Sequence, residues 1–330
     1  MVSRTESFVK RKSEEMVLGR RKVSIIGAGF VGASIAYALA IKDIAREIVL
    51  IDVDQKKAEG EAIDIRHGIP SMGIVDLYAD GYSACADSDL IIITAGRGRR
   101  EGETRLDLAN ENTKIVKNVI NSIQKYYSRG VIMVVSNPVD ILTYKISEWM
   151  QIFNGNVFGT GCILDTSRLL RKIADYLNLS TGIINGYVIG EHGDRQIPIW
   201  SHVTVSGIPI DEYCSEMGIR WDKDIREELF ISTKTMGAEI ISAKGRTHYG
   251  IATCVCYLAD SILNQRPTIV SVTSPMPFET DIPEYALSVP SLVGPSGVQQ
   301  RVRDKWNDDE YQQFVVAREK MIEVIKSIKE

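Results

Sequence analysis

Short, continuous apolar runs alternate with segments of helical periodicity through the first half of the chain. Residues 23–26 (Val-Ser-Ile-Ile) precede a glycine-rich turn, and the small and apolar residues of 33–41 follow it, which predicts a strand, a turn and a helix. Residues 47–51 predict a second strand. Residues 90–93 and 131–135 are built only of Leu, Ile, Val and Met, the pattern of strands buried on both faces of a parallel sheet. Between them, Ile115, Val119 and Ile123 recur at intervals of four and predict an amphipathic helix over 110–127. Strands alternating with helices in this way imply a right-handed, doubly wound α/β sheet. After about residue 150 the alternation ends. Helices are predicted at 166–177, 223–243 and 251–263 and strands at 187–189 and 202–205, an α+β pattern, and 308–328 reads as a closing helix.

A chain of 330 residues exceeds what one hydrophobic core usually supports, so two domains are expected, 22–150 and 151–330, behind an N-terminal arm of 1–21. With 44% hydrophobic and 25% charged residues and a net charge of −4, nothing points to nucleic acid or a membrane as partner. The uncharged run 25–41 nearly reaches spanning length, but three glycines at turn spacing divide it into strand, turn and helix. Five scattered cysteines without a C-x-x-C pair suggest buried thiols, with neither a disulfide framework nor a metal site. Residues 1–22 are basic and lack the apolar stretch of a secretory signal, and Glu6, Glu14 and Glu15 argue against a mitochondrial presequence. A cytoplasmic protein is expected.

Gly27, Gly29 and Gly32 form G-x-G-x-x-G between a predicted strand and a small-residue helix, and an acid, Asp52, ends the next strand twenty residues later. The first glycine permits the turn, the second lets a pyrophosphate approach the backbone, and the third lets helix and strand pack closely. Asp52 would hold the ribose hydroxyls and repel a 2′-phosphate, which favours NAD over NADP. A solvated acid at a strand end is the plainer reading, and Asp54 could share the role.

Reducing a ketone with a hydride requires a proton donor, a cation for the substrate carboxylate and polarisation of the carbonyl. Among four histidines, His192 lies in a glycine-bracketed polar segment, 190–194 (Gly-Glu-His-Gly-Asp), that suits a loop; His67, His202 and His248 lack such a setting. Asp165 and Arg168, three apart at a predicted helix start, share a face. An acid beside a histidine raises its pKa and fixes its tautomer, and an arginine fork matches a carboxylate, although a plain local ion pair explains the same spacing. Segment 94–105, with three glycines and four arginines, follows the carboxyl end of a buried strand and is a candidate lid.

Together the motifs resemble the L-lactate/L-malate dehydrogenase family from about Lys22 to the C-terminus. The residues carrying this are 27–32, Thr94-Ala-Gly, 102–108, 136–140 (Ser-Asn-Pro-Val-Asp), 164–168 (Leu-Asp-Thr-Ser-Arg), 190–194 and 244–250. The resemblance implies an NAD-binding Rossmann domain followed by an α+β substrate domain, and a homotetramer. It makes His192 the proton donor and acceptor with Asp165 as its partner. Arg168 clamps the C1 carboxylate, Arg105 on the closing loop polarises the carbonyl, and Asn137 hydrogen-bonds near the reacting oxygen and the nicotinamide. NAD would lie on Gly27, Gly29, Phe30, Val31, Gly32, Asp52, Thr94, Ala95, Gly96 and Asn137. Closure of the loop would expel water.

The substrate is where the chain departs from its lactate-type pattern. Glu103, Leu106, Asp107 and Thr247 follow the lactate branch, but Arg99 stands where that branch generally has glutamine and the malate branch arginine. With pyruvate bound, an enclosed and unpartnered Arg99 would cost about 2–5 kcal/mol, roughly thirtyfold to several thousandfold in selectivity. This favours L-malate dehydrogenase, with L-lactate dehydrogenase as the alternative, since Arg99 could also swing to solvent. A non-catalytic NAD-binding protein would need none of His192, Asp165, Arg168 and Arg105. Leu170 and Asn185 occupy positions where members activated by a sugar bisphosphate carry arginine and histidine, so such a site is not expected.

Overall fold

The computed structural model describes residues 21–68, 75–98, 102–276, 285–302 and 304–328. The expected N-terminal arm, apart from Arg21, and Arg99 lie outside the described residues, and Arg105 is described in its backbone alone.

Alternation along each strand explains the continuous apolar runs. In β1 (Lys22–Ile26), β2 (Glu47–Ile51), β3 (Asp76–Ala79), β4 (Leu90–Ile93), β5 (Val131–Val134) and β6 (Val157–Gly159), successive side chains enter opposite layers. Leu90 and Ile92 join one core, and Ile91 and Ile93 join the other. Both faces are therefore covered. Helices α1 (Phe30–Ile41) and α2 (Gln55–Gly68) cover the first through Ile35, Leu39 and Ala58. Helices α3 (Arg105–Ile123) and α4 (Val139–Met150) cover the second through Val116, Ile120, Leu142 and Ile146. The strands are parallel in the order β3-β2-β1-β4-β5-β6, reversing direction of progress between β1 and β4. A crevice for a dinucleotide opens at that point, beyond the carboxyl ends of the strands.

The helix predicted over 110–127 begins five residues earlier. Thr104 caps it, accepting from the Asp107 N–H at 3.1 Å while Asp107 reaches back to the Thr104 N–H at 3.2 Å. The apolar periodicity marks only the buried middle of α3, whereas the capping box sets its start.

The second half adds α5 (Ile163–Leu177), β7 (Ile184–Asn185), β8 (Val188–Gly190), β9 (Gln196–Pro198), β10 (Thr204–Val205), β11 (Ile208–Pro209), α6 (Ile210–Glu216), α7 (Lys223–Lys244) and α8 (Tyr249–Leu263). The chain then forms β12 (Thr268–Pro275), β13 (Ala286–Gly294), β14 (Gly297–Arg301) and α9 (Asp308–Ser327). The strand predicted at 202–205 is partly a 3₁₀ turn, Trp200–His202, with only Thr204 and Val205 paired. The long antiparallel pair β12–β13 has no counterpart among the predicted elements, because its serines and prolines break the apolar run. It matters for the site: β12 pairs with β6 at Thr273 and Gly159, and β13 with β8 at Ser288 and Gly190, joining the two halves into one eleven-stranded sheet. Helix α8 packs back on the first half, its Val255 and Leu258 sharing a core with Leu39. Among the described residues no helix is long and apolar enough to cross a membrane.

Candidate active site

The glycine turn is shaped by what a side chain would strike. A Cβ on Gly32 would lie 1.9 Å from the Gly27 carbonyl oxygen, and one on Gly27, at φ +107°, would meet Thr94 Oγ1 at 2.6 Å. The space around Gly29 is open. Gly29 is the N-cap of α1 and has no capping side chain, so the first-turn N–H groups of the helix lack an intrahelical acceptor. An open, donor-rich helix start suits a diphosphate. Thr94 ties the turn to its neighbour by donating to Gly27 O at 2.8 Å.

Asp52 accepts from the Ala28 N–H at 2.6 Å and from the Asp54 N–H at 3.0 Å, which leaves lone pairs for a ribose hydroxyl. Asp54 is engaged differently. Its carboxylate accepts from the Lys57 N–H at 3.1 Å, a contact at the start of α2.

Next to this turn lies a cavity of about 460 Å³, lined among others by Asn137, Arg168, His192 and Thr247. Each reaches it from a strand end or helix start: Asn137 follows β5, Arg168 sits on the first turns of α5, His192 follows β8 and Thr247 precedes α8. His192 Nδ1 and Asp165 Oδ2 are 2.6 Å apart. Asp165 is buried, in the first turn of α5 where the helix favours negative charge. Its other oxygen is 3.4 Å from Arg168 Nη1, a loose contact that leaves guanidinium donors for a ligand. The His192 side chain lies deep in the molecule but keeps 26% of its surface open.

Burial alone would push His192 down, but the charge and hydrogen bond of Asp165 outweigh it and hold the imidazole above its usual 6.5. Asp165 shows the converse. Burial works to raise it, yet His192 and Arg168 bring its carboxyl below the ordinary value. Asp165→Asn would remove the main raising influence and leave burial and Arg168, which lower the imidazole, against Asp140, which raises it, so His192 is expected to titrate lower than in the wild type. An NMR titration of the imidazole in the folded variant checks this; an unchanged midpoint would assign the shift to other groups.

Two residues essential to this geometry have roles that sequence reading misses, one of them, Asp140, although it lies in the 136–140 motif. Asp140, buried in α4, accepts from the His192 backbone N–H at 2.8 Å and from the Thr273 hydroxyl. Burial drives its carboxyl up to about 7, with Thr273 and His192 opposing. Asn112, buried on α3, accepts from Arg97 N at 3.0 Å and donates to Arg97 O at 3.1 Å and Asn137 O at 2.7 Å. It thereby fastens the loop after β4 to the loop after β5. A polar residue interrupting the apolar face of each helix was the available signal, and it did not identify a partner.

Arg97 also lines the cavity, but its guanidinium is engaged by Glu103, Nη1 lying 2.7 Å from Oε2. Ala95 accepts from Ser136 Oγ at 2.6 Å, and Gly96 and Val31 border the cavity. Among the described residues no group of His, Cys, Asp and Glu converges as a metal site.

Comparison with known proteins extends this geometry. Family models described as the NAD binding domain and the alpha/beta C-terminal domain of lactate/malate dehydrogenase match residues 21–159 and 162–330. The chain is 41% identical over 307 residues to an L-lactate dehydrogenase of Thermoanaerobacter sp. (strain X514), covering 93% of this chain and 97% of that protein. It is 38% identical over 308 residues to an L-lactate dehydrogenase of Acetivibrio thermocellus, with the same coverage. The crystal structure of the minor L-lactate dehydrogenase from Enterococcus mundtii superposes with a TM-score of 0.89 at 36% identity, over 94% of this chain and 98% of that one.

Proposed function

The chain belongs to the lactate/malate dehydrogenase family, an NAD-dependent oxidoreductase of 2-hydroxy acids, and we propose that its substrate pair is pyruvate and L-lactate. The observation that carries this reading is the charge that the described residues give the cavity. Beside His192, the guanidinium of Arg168 is available for one carboxylate, whereas Arg97 is already paired with Glu103. Gly237, Ile241 and Thr247 complete that side of the cavity and suit a methyl group better than a second carboxylate. The relatives quoted above, all named L-lactate dehydrogenases, support the same choice.

NADH, held by the glycine turn and Asp52, would supply the hydride to the carbonyl carbon. His192 holds a proton at Nε2, because Nδ1 is committed to Asp165, and delivers it to the carbonyl oxygen. Asp165 fixes the ring orientation and favours the charged imidazole. Asp140 positions the loop through the His192 N–H and is not itself in contact with the proton being moved. Arg168 orients the substrate by its carboxylate, and Arg105, at the start of α3, polarises the carbonyl on loop closure.

L-malate dehydrogenase activity is the second reading, favoured by Arg99. NADH oxidation measured with pyruvate and with oxaloacetate separates the two: a higher kcat/KM with pyruvate is expected, and a higher value with oxaloacetate would replace the lactate reading. Arg99→Gln is expected to shift the ratio toward pyruvate at least tenfold if Arg99 enters the pocket; an unchanged ratio puts it outside.

A cytoplasmic homotetramer belongs to the same proposal. The five buried free cysteines suit a reducing compartment, and exposed Ile63 on α2, Ile231 on α7 and Ile269 on β12 suit association. Sedimentation at the mass of four 36.7 kDa chains is expected, and a monomer would refute it.

A further inference from the structure

Two cations stand without an acidic partner among the described residues at the edge of the cofactor crevice. The Arg246 guanidinium lies over the ring of Phe30, 3.7 Å from its centroid, and the Lys244 ammonium lies 4.3 Å from the centroid of Tyr249. Between them, the His248 ring is 5.8 Å from Phe30 and 4.0 Å from Tyr249, so three rings form a continuous support. Phe30 is the first residue of α1, directly after the uncapped Gly29. The positive end of that helix and the Arg246 guanidinium are thus brought together, an arrangement that is unfavourable by itself and favourable around an anion. The ring restricts the guanidinium as well as attracting it, so less freedom is lost when it binds. The His248 Nδ1 is buried and has no hydrogen-bond partner among the described residues.

We propose that Arg246, held by Phe30, binds the diphosphate of NAD at the N-terminus of α1. The backbone N–H groups of the turn would contact the phosphates from the helix side and Arg246 from the side of α8 (Tyr249–Leu263), which follows it. Lys244, at the last turn of α7, contributes only to the local field. The inference rests on NAD as cofactor and is independent of which acid is reduced.

NADH binding to the full chain, read by nicotinamide fluorescence, tests it. Arg246→Gln is expected to raise the NADH Kd about tenfold at low salt, with the gap narrowing as salt screens the interaction. Phe30→Leu, which removes the support and retains the guanidinium, is expected to weaken NADH binding several-fold. Adenosine, which lacks the diphosphate, should compete for the site equally well in wild type and Arg246→Gln. Arg246 is exposed, and an unchanged Tm is expected. Wild-type NADH affinity in Arg246→Gln would overturn the proposal, as would equal weakening of NADH and adenosine, which would indicate a packing role.

Discussion

Replacing His192 by asparagine is expected to lower kcat by about 10²–10⁴ while NADH still binds with near wild-type affinity. Asparagine can retain a hydrogen bond toward Asp165, which at 2.6 Å anchors the ring, but it cannot carry and release a proton near neutral pH. The glycine turn, Thr94 and Asp52 are unaffected by the substitution, because none of their described contacts involves His192. Steady-state turnover and NADH fluorescence measured on the same preparation check this. If turnover and NADH binding vanish together, the residue holds up the fold and the proton role is wrong. The wild-type pH profile provides a second check. Reduction requires the charged imidazole, and the group is held above 6.5, so kcat/KM for pyruvate should stay level through that pH and fall above it. Oxidation of lactate should rise over the same range.

Arg168→Lys is the other large effect. The guanidinium is 13% exposed and keeps donors free of Asp165, which suits bidentate recognition of a carboxylate. Lysine retains the charge but presents a point donor on a shorter reach, so it cannot reproduce the fork. Loss of such an enclosed pairing costs about 2–5 kcal/mol, roughly thirtyfold to several thousandfold in kcat/KM. KM for pyruvate should carry much of the loss, with NADH affinity unchanged. A variant with wild-type KM would remove Arg168 from substrate binding.

These effects also separate what could be read in the sequence from what could not. The bounds of Leu90–Ile93 are legible because burial on both faces leaves an uninterrupted apolar run, and in Glu47–Ile51 four buried apolar residues follow a half-buried glutamate. The glycine turn is legible for a related reason: the clash of a Gly32 Cβ with Gly27 O is set within six residues of chain. The position of Asp165 and Arg168 on one helix face likewise follows from helical geometry alone. The partner of His192 is implied by the family resemblance and named by neither residue's local sequence.

What the sequence determined by itself is thus whatever depends on neighbours along the chain: the parallel strands, the glycine turn and the buried middle of α3, whose start at the Thr104 cap lies five residues before the helix that its apolar periodicity predicts. Only the tertiary structure decided which distant groups meet. It brought Asp140 to the backbone of His192 through a sheet that β12 and β13 complete, and Asn112 to the loops carrying Arg97 and Asn137. It also decided the charge states. A carboxyl at about 7 in Asp140 and one below its usual range in Asp165 have the same side chain and differ in burial and partners. Periodicity and local sterics act over a few residues and leave a pattern there, whereas desolvation and pairing arise only when separate segments are packed together.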